Sequence, residues 1–457
     1  VTAPATEPSL ERRLGPFDAA AIILSNVIGG GIFFVPILVA GLVPVAMGMI
    51  GVWVLGGILA FAGAMAYAEL AALRPKSGGE YVYLREAFGP QAAFLTGWTS
   101  FVAGFSGAIA ASALFLADAI GRFFPVVADR TPIIEIPIPF ASLVLTNQTL
   151  VALVAIAALS FVHMRGLGPG RIVHNVLAGL KVSGILIFIA LGLSLGSGTW
   201  ANLSSSHEVT APATGWLLAL IPVMFSFSGW NAAAYVAEEI KNPGRNVPIA
   251  LGLGTAAVVA IYVALNVLYL YAMPLADLAV VGDGRLTDTV AERLFGFVAG
   301  NLIAIFTIVS VAASISAMVL SGPRVYFAMA RDGAFLPSVA RVHPTYRTPS
   351  RAIWAQAAWS GVLVLSSTLS GLVNYTGFAI VLFSGIAVAA LFVLRFREPH
   401  AERPFKAWGY PFAPGLFVVA SAAMIGHRLF TEPSETLYGL LIIAAGIPLY
   451  YLFARRR

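Results

Sequence analysis

Long stretches of this chain hold no charged residue at all. Asp, Glu, Lys and Arg are absent from 19–68, 87–117, 136–162, 182–206, 209–237, 246–276, 294–323, 352–394, 407–426 and 436–454. Crossing a bilayer's hydrocarbon core takes about 20 residues of helix. Ten such stretches, two of them long enough to double back as a hairpin of helices, therefore predict twelve crossings. Charged residues make up 11% of the sequence, under half the roughly 25% of an ordinary soluble domain, and a water-soluble globule is excluded. The expected fold is an all-α polytopic membrane protein with helices near 16–40, 43–72, 88–120, 146–164, 171–195, 214–240, 246–272, 294–329, 349–369, 372–396, 411–430 and 434–454.

Counted in alternate loops, 21 Lys and Arg fall on the side of the N-terminus and 5 on the other, leaving Lys181 inside a span. An excess of basic residues marks the cytoplasmic side, so both termini are expected in the cytoplasm and the protein in the plasma (inner) membrane. Residues 1–15 are polar and read as a cytoplasmic tail; the first apolar run is too long for a signal peptide. With no cysteine, disulfides, a disulfide-linked subunit and thiolate metal sites are excluded. The net charge of +6 is spread over short loops, which argues against nucleic acid. None of the six histidines has metal-site spacing, and no Walker-type loop is present. No metal and no cofactor are expected. Gly166-Leu167-Gly168-Pro169-Gly170 reads as a turn, without the strand context of a nucleotide site.

Loop lengths divide the chain into helices one to five (16–195), six to ten (214–396) and a last pair (411–454). Helix one is interrupted by Ile28-Gly29-Gly30-Gly31-Ile32-Phe33, and helix six by Phe225-Ser226-Phe227-Ser228-Gly229-Trp230-Asn231. Glycine disfavours helix by about 1 kcal/mol each, and unwound backbone at membrane depth survives only where protein or a water-filled cavity satisfies it. Two breaks that each open a five-helix half point to an inverted repeat with a substrate site near the midplane. Close helix packing through small residues is the competing explanation.

These residues resemble the amino acid/polyamine/organocation transporters, particularly bacterial relatives of the L-type amino acid transporters. The resemblance covers most of the chain. It rests on the first break, on Ala68-Glu69-Leu70 followed by Pro75-Lys76-Ser77-Gly78-Gly79-Glu80-Tyr81-Val82-Tyr83, and on Ser228-Gly229-Trp230-Asn231. Glu238-Glu239-Ile240-Lys241-Asn242-Pro243-Gly244 and Gly322-Pro323-Arg324-Val325-Tyr326-Phe327 complete it. One departure is Gly30, where many relatives have Ser. The resemblance implies a secondary transporter of free amino acids working by alternating access, with Phe225 as an aromatic gate and Asn231 as a polar wall residue; packing in the core or against lipid is the competing explanation for Phe225, and capping the broken helix for Asn231.

A free amino acid offers a carboxylate and an ammonium. N–H groups of Gly30, Gly31 and Ile32 at a helix N-terminus suit the first, and carbonyls of Val27, Ile28, Phe225 and Ser228 around the breaks, including Gly29, suit the second. Gly30→Val or Gly31→Val should abolish binding, and the same change at Gly57 should not. Lys181 lies about ten residues, roughly 15 Å, in from Arg171, too deep for easy snorkelling, and an ammonium there is a functional candidate. The resemblance places it where sodium-coupled cousins bind sodium, between the first break and Ser314, with Ser310 on the same face. Sodium independence follows, with either a proton leaving Lys181 or a fixed charge in an exchanger. Central spans without acidic residues predict neutral substrates. Glu238, Glu239, Arg324 and Arg331 are expected to pair when the inner side closes. An embedded enzyme would need several convergent ionisable groups and is excluded. A channel or sensor on a transporter fold, or a carrier of cationic amino acids or polyamines, stays open.

Overall fold

Apolar sequence in lipid leaves the backbone one local way to pair its own N–H and C=O groups, the α-helix, and helices form nearly everything here. The computed structural model of the protein describes residues 12–138, 141–204, 213–281, 285–366, 369–431 and 433–454. The tail up to residue 11 and the basic residues Arg455, Arg456 and Arg457 lie outside the described residues. The helices are α1 (Pro16–Val27), α2 (Gly31–Leu42), α3 (Ala46–Leu73), α4 (Glu80–Phe88), α5 (Pro90–Gly121), α6 (Asn147–Met164) and α7 (Leu167–Leu195). Next come α8 (Ala213–Ser226), α9 (Ala232–Tyr235), α10 (Pro243–Ala272), α11 (Leu286–Phe295), α12 (Phe297–Arg331) and α13 (Ser350–Ser366). The chain closes with α14 (Leu369–Arg397), α15 (Phe412–Thr431), α16 (Pro433–Ala444) and α17 (Gly446–Ala454). Among the described residues, 8 helices are long and apolar enough to cross a membrane, or 9 if the bent pair α1 and α2 is one span.

Several elements differ from the sequence expectation. α4 and α11 are separate short helices, each set off from the following span by a glycine in the left-handed region, Gly89 at φ +94° and Gly296 at φ +89°. Gly166 at φ +122° makes the turn alone, and α7 begins already at Leu167, because a proline such as Pro169 is tolerated in a helix's first turn. The sequence predicts that helix six runs to 240, yet α9 is only 4 residues and gives way to a 3-10 turn, Ala237–Glu239. There the backbone pairs elsewhere: Leu14 N–H donates to Glu239 O at 3.0 Å and Lys241 N–H to Leu14 O at 2.9 Å. Ahead of α6, β1 (Ile134–Ile138) and β2 (Ala141–Leu145) form an antiparallel pair with Ile134 opposite Leu145.

α1 sits at the centre, against α7, α10 and α12, while α8 packs on α2, α3 and α14. The end of the bundle carrying Leu14, here the basic end, is tied by buried ion pairs. Arg324 and Glu239 meet at 2.8 Å with side chains only 1% and 0% exposed, and Glu69 takes Arg395 at 2.6 Å and Arg403 at 3.0 Å. Arg331 reaches Glu238 at 2.9 Å nearby.

Candidate functional site

Unwinding a helix frees buried backbone groups that must find partners. At the first break α1 ends at Val27 and α2 restarts at Gly31, with a 44° bend between them. Gly29 N–H folds back on Val27 O at 2.7 Å and Phe33 N–H on Gly30 O at 2.9 Å. The N–H groups of Gly30, Gly31 and Ile32 have no acceptor among the described residues. At the second break Ser228 N–H bonds Phe225 O at 2.9 Å, and Gly229 turns the chain at φ +98°. The breaks touch. A Cβ on Gly31 would stand 2.8 Å from Ser226 Oγ, and one on Gly229 2.8 Å from the Asn26 Cβ. From α10, the Tyr262 hydroxyl bridges them, 2.6 Å from Val27 O and 3.1 Å from Ser226 O.

Lys181, on α7, is wholly buried. Its Nζ donates to Ser25 O at 3.2 Å, to Ile28 O, and to Ser314 Oγ at 2.7 Å. An ammonium has three donors, and all three are used. Ser314 Oγ also lies 2.8 Å from Ile28 O. The carbonyls of Val27 and Ile28, expected to face a substrate ammonium, are therefore taken by Tyr262, Lys181 and Ser314. The protein pairs from within what the break exposes.

A cavity of about 40 Å³ lies at the breaks. Of the sequence-predicted residues, Val27, Gly29, Gly30, Gly31, Phe225, Ser226, Ser228 and Ser314 line it. Ile28, Ile32, Lys181, Phe227 and Asn231 do not. Phe227 is fully buried against Trp53 and Tyr262, with ring centroids 5.9 and 5.1 Å away. Phe225 separates this cavity from a groove at the opposite end, which it also lines, and packs on Phe34 with centroids 6.4 Å apart. At that end Arg122 on α5 clamps α11 through Asp288 at 2.9 Å and Glu292 at 2.6 Å. Burial pushes Asp288 up to about 6, although Arg122 beside it pulls the other way.

On the basic side a second cavity of about 80 Å³ shares Asn26, Ala108, Ser228 and Met318 with the first. Its acidic lining residue is Glu80, to which the sequence motif around it assigns no role. α4 turns this carboxylate inward, where it accepts from Tyr67 at 2.5 Å, Asn231 at 2.7 Å and Tyr235 at 2.9 Å. Asn231 makes no capping bond; its amide is spent on Glu80 and Tyr235. Sequence reasoning also misses Asn26, Phe115 and Tyr262. A polar Asn two residues ahead of the Ile28 break is the available signal for the first; the other two arrive from different helices and leave none. Gly57 is no neutral control, since a Cβ there would meet Val259 at 2.6 Å.

Comparison with known families turns this geometry into an assignment: the description "Amino acid permease" matches residues 14–452. The chain belongs to the amino acid permease family. This permease is 29% identical over 450 residues to the serine/threonine exchanger SteT of Bacillus subtilis (strain 168), covering 98% of each chain. It is 29% identical over 449 residues to the mouse (Mus musculus) b(0,+)-type amino acid transporter 1, covering 97% of this chain and 88% of that one. Against the human (Homo sapiens) large neutral amino acids transporter small subunit 2 the identity is 29% over 453 residues, 97% of this chain and 81% of the relative. With its candidate spans, the permease is an integral membrane protein and not an enzyme. No residue of its sequence can join a subunit through a disulfide.

Proposed function

We propose that this permease is a secondary active transporter of free neutral amino acids, working by alternating access across the cytoplasmic membrane without sodium. The carrying observation is Lys181, whose ammonium fills the space between Ile28 O, Ser25 O and Ser314 Oγ. A resident cation repels a second one there. Beside it the free amides of Gly30, Gly31 and Ile32 suit a substrate carboxylate, and the cavity at the breaks has no carboxylate in its lining, which supports neutral side chains. Alanine, serine and leucine are the candidates, and the name of the Bacillus relative adds threonine. In this reading twelve spans form two inverted five-helix repeats plus a last pair, the basic end is cytoplasmic, and uptake is coupled to protons. Exchange is the second reading, favoured by the same relative, a serine/threonine exchanger by name.

A thermal-shift screen of the amino acids on purified protein tests the substrate class, since a ligand that binds only the folded state raises apparent stability. Esters or N-acetylated amino acids that stabilise as well as the parent overturn recognition by the broken-helix backbone. Arginine or a polyamine outcompeting every neutral amino acid overturns the neutral class. Labelled uptake into proteoliposomes that depends on sodium overturns the role of Lys181.

A further inference from the structure

Among the described residues, three carboxylates are buried at the basic side of the bundle, and one of them differs from the others. Glu239 is paired with Arg324, and Glu69 with Arg395 and Arg403. Glu80, 7% exposed, has no cationic partner among the described residues. Oε1 accepts two hydrogen bonds, from Tyr67 and Asn231, and Oε2 accepts one, from Tyr235. A carboxylate has about four acceptor positions, so one on Oε2 is open.

We propose that Glu80 binds the transported proton, taking it on Oε2 from the cavity it lines, while Lys181 keeps its charge throughout the cycle. This rests on the reading of the protein as a proton-coupled carrier and names the residue that does the coupling. Lys181 is poorly placed to exchange a proton, because all its donors are engaged and it lines neither the cavity at the breaks nor the one beside Glu80. Glu80 has both an open acceptor position and a route. The Thr96 and Thr99 hydroxyls line the same cavity, are 1% and 2% exposed, and have no hydrogen-bond partner among the described residues. Polar buried groups of that kind hold water, through which a proton moves. Asn231 passes the change of charge to the second break, since its amide is held by the ionised carboxylate.

The groups facing Glu80 are neutral. They are Tyr67 on α3, Tyr83 on α4 itself and Tyr235 on α9. α5 and α14 bring only hydroxyl and apolar groups to the cavity, Thr96, Thr99, Ser100 and Ser384 among them. Charges near the ends of α4 and α12 pair outside it, Arg85 with Asp332, Arg74 with Glu86, and Arg331 with Glu238. Burial accordingly pushes the Glu80 carboxyl up, against the pull of its hydrogen bonds from Tyr67, Tyr235 and Asn231.

The test compares wild type with Glu80→Gln in proteoliposomes. One assay reads counterflow without a gradient, and the other reads accumulation driven by an inward gradient of about one pH unit, which gives up to about tenfold accumulation in a one-to-one symporter. The expected result is that the variant keeps its counterflow and loses the accumulation. Accumulation equal to wild type in the variant overturns the assignment of Glu80 alone. Counterflow without accumulation in wild type overturns proton coupling, and with it this proposal; no counterflow in wild type overturns the carrier reading. Should the variant lose both activities, wild-type protein decides. Dicyclohexylcarbodiimide, which adds to protonated carboxyls in apolar surroundings, should label Glu80 increasingly as the pH falls and spare the ion-paired Glu69 and Glu239. Absence of that labelling overturns the proposal.

Discussion

The first break carries three consecutive glycines and holds none of them at positive φ, whereas the second carries one and holds it at +98°. Gly30 is helical in its angles, φ −58° and ψ −31°. Space rather than backbone freedom is what Gly31 serves, since it admits Ser226, whereas a Cβ on Gly30 would only reach ordinary contact with the Phe115 ring, at 3.6 Å. Gly229 serves both, with Asn26 pressed against it. The breaks also differ in what satisfies them. The carbonyls of the first are met by three side chains from α7, α10 and α12, and those of the second mostly by its own turn. A run of breakers in sequence thus marks where a helix is held open from outside, and a lone glycine marks where the chain opens itself.

The strongest way to break this contrast is Lys181→Met, which removes the outside support. Ile28 O keeps Ser314 Oγ while Ser25 O loses its partner, and a buried carbonyl left unpaired costs about 1–3 kcal/mol, a loss read as a lower unfolding temperature in detergent together with abolished counterflow. A variant as stable as wild type would mean that the first break holds itself. Gly229→Ala comes next. A left-handed residue with a Cβ costs about 1–2 kcal/mol, and contact with Asn26 adds to it, so thermal unfolding should shift down clearly while the lysine network stays intact. An unchanged transition would show that the turn at 229 is not obligatory.

Tyr262→Phe deletes only the hydroxyl between the two breaks. About 1 kcal/mol is expected, from the net worth of a hydrogen bond, with counterflow reduced more than stability; loss of neither, or of stability only, would detach this tyrosine from the site. The smallest effect on folding belongs to Gly30→Ala, where angles and space both admit a methyl. Stability should stay within about 1 kcal/mol, and ligand-induced thermal stabilisation should shrink because the methyl enters the cavity. Equal shrinkage in Gly426→Ala, which has nothing within 4 Å, would remove that interpretation.

Much of this is legible in the sequence. Charge-free runs locate the spans because lipid tolerates little else, and Lys181 stands out because an ammonium at such depth is costly. Helix ends are less legible: α4 and α11 begin where polar residues return, and only the glycines at 89 and 296 mark their separation from the spans. Glu80 is hidden for a different reason. Its neighbours Lys76, Arg85 and Glu86 describe a solvated loop, and nothing local says that α4 folds its first residue under the second break. Tyr262 is equally silent, one aromatic in an apolar helix whose hydroxyl finds its acceptors 36 and 235 residues away.

That hydroxyl carries one hydrogen, yet it stands within reach of two acceptors, at 2.6 and 3.1 Å. A phenol donates once. At every instant one carbonyl receives that hydrogen and the other does not, so the two broken ends compete for a single proton, with Val27 O the nearer acceptor. If they draw apart and the hydrogen leaves with Val27, Ser226 O must be met by solvent or by cargo, whereas Val27 O, when it loses the hydrogen, still has Gly29 N–H at 2.7 Å. Separation is therefore lopsided by count alone, whatever the surrounding helices do.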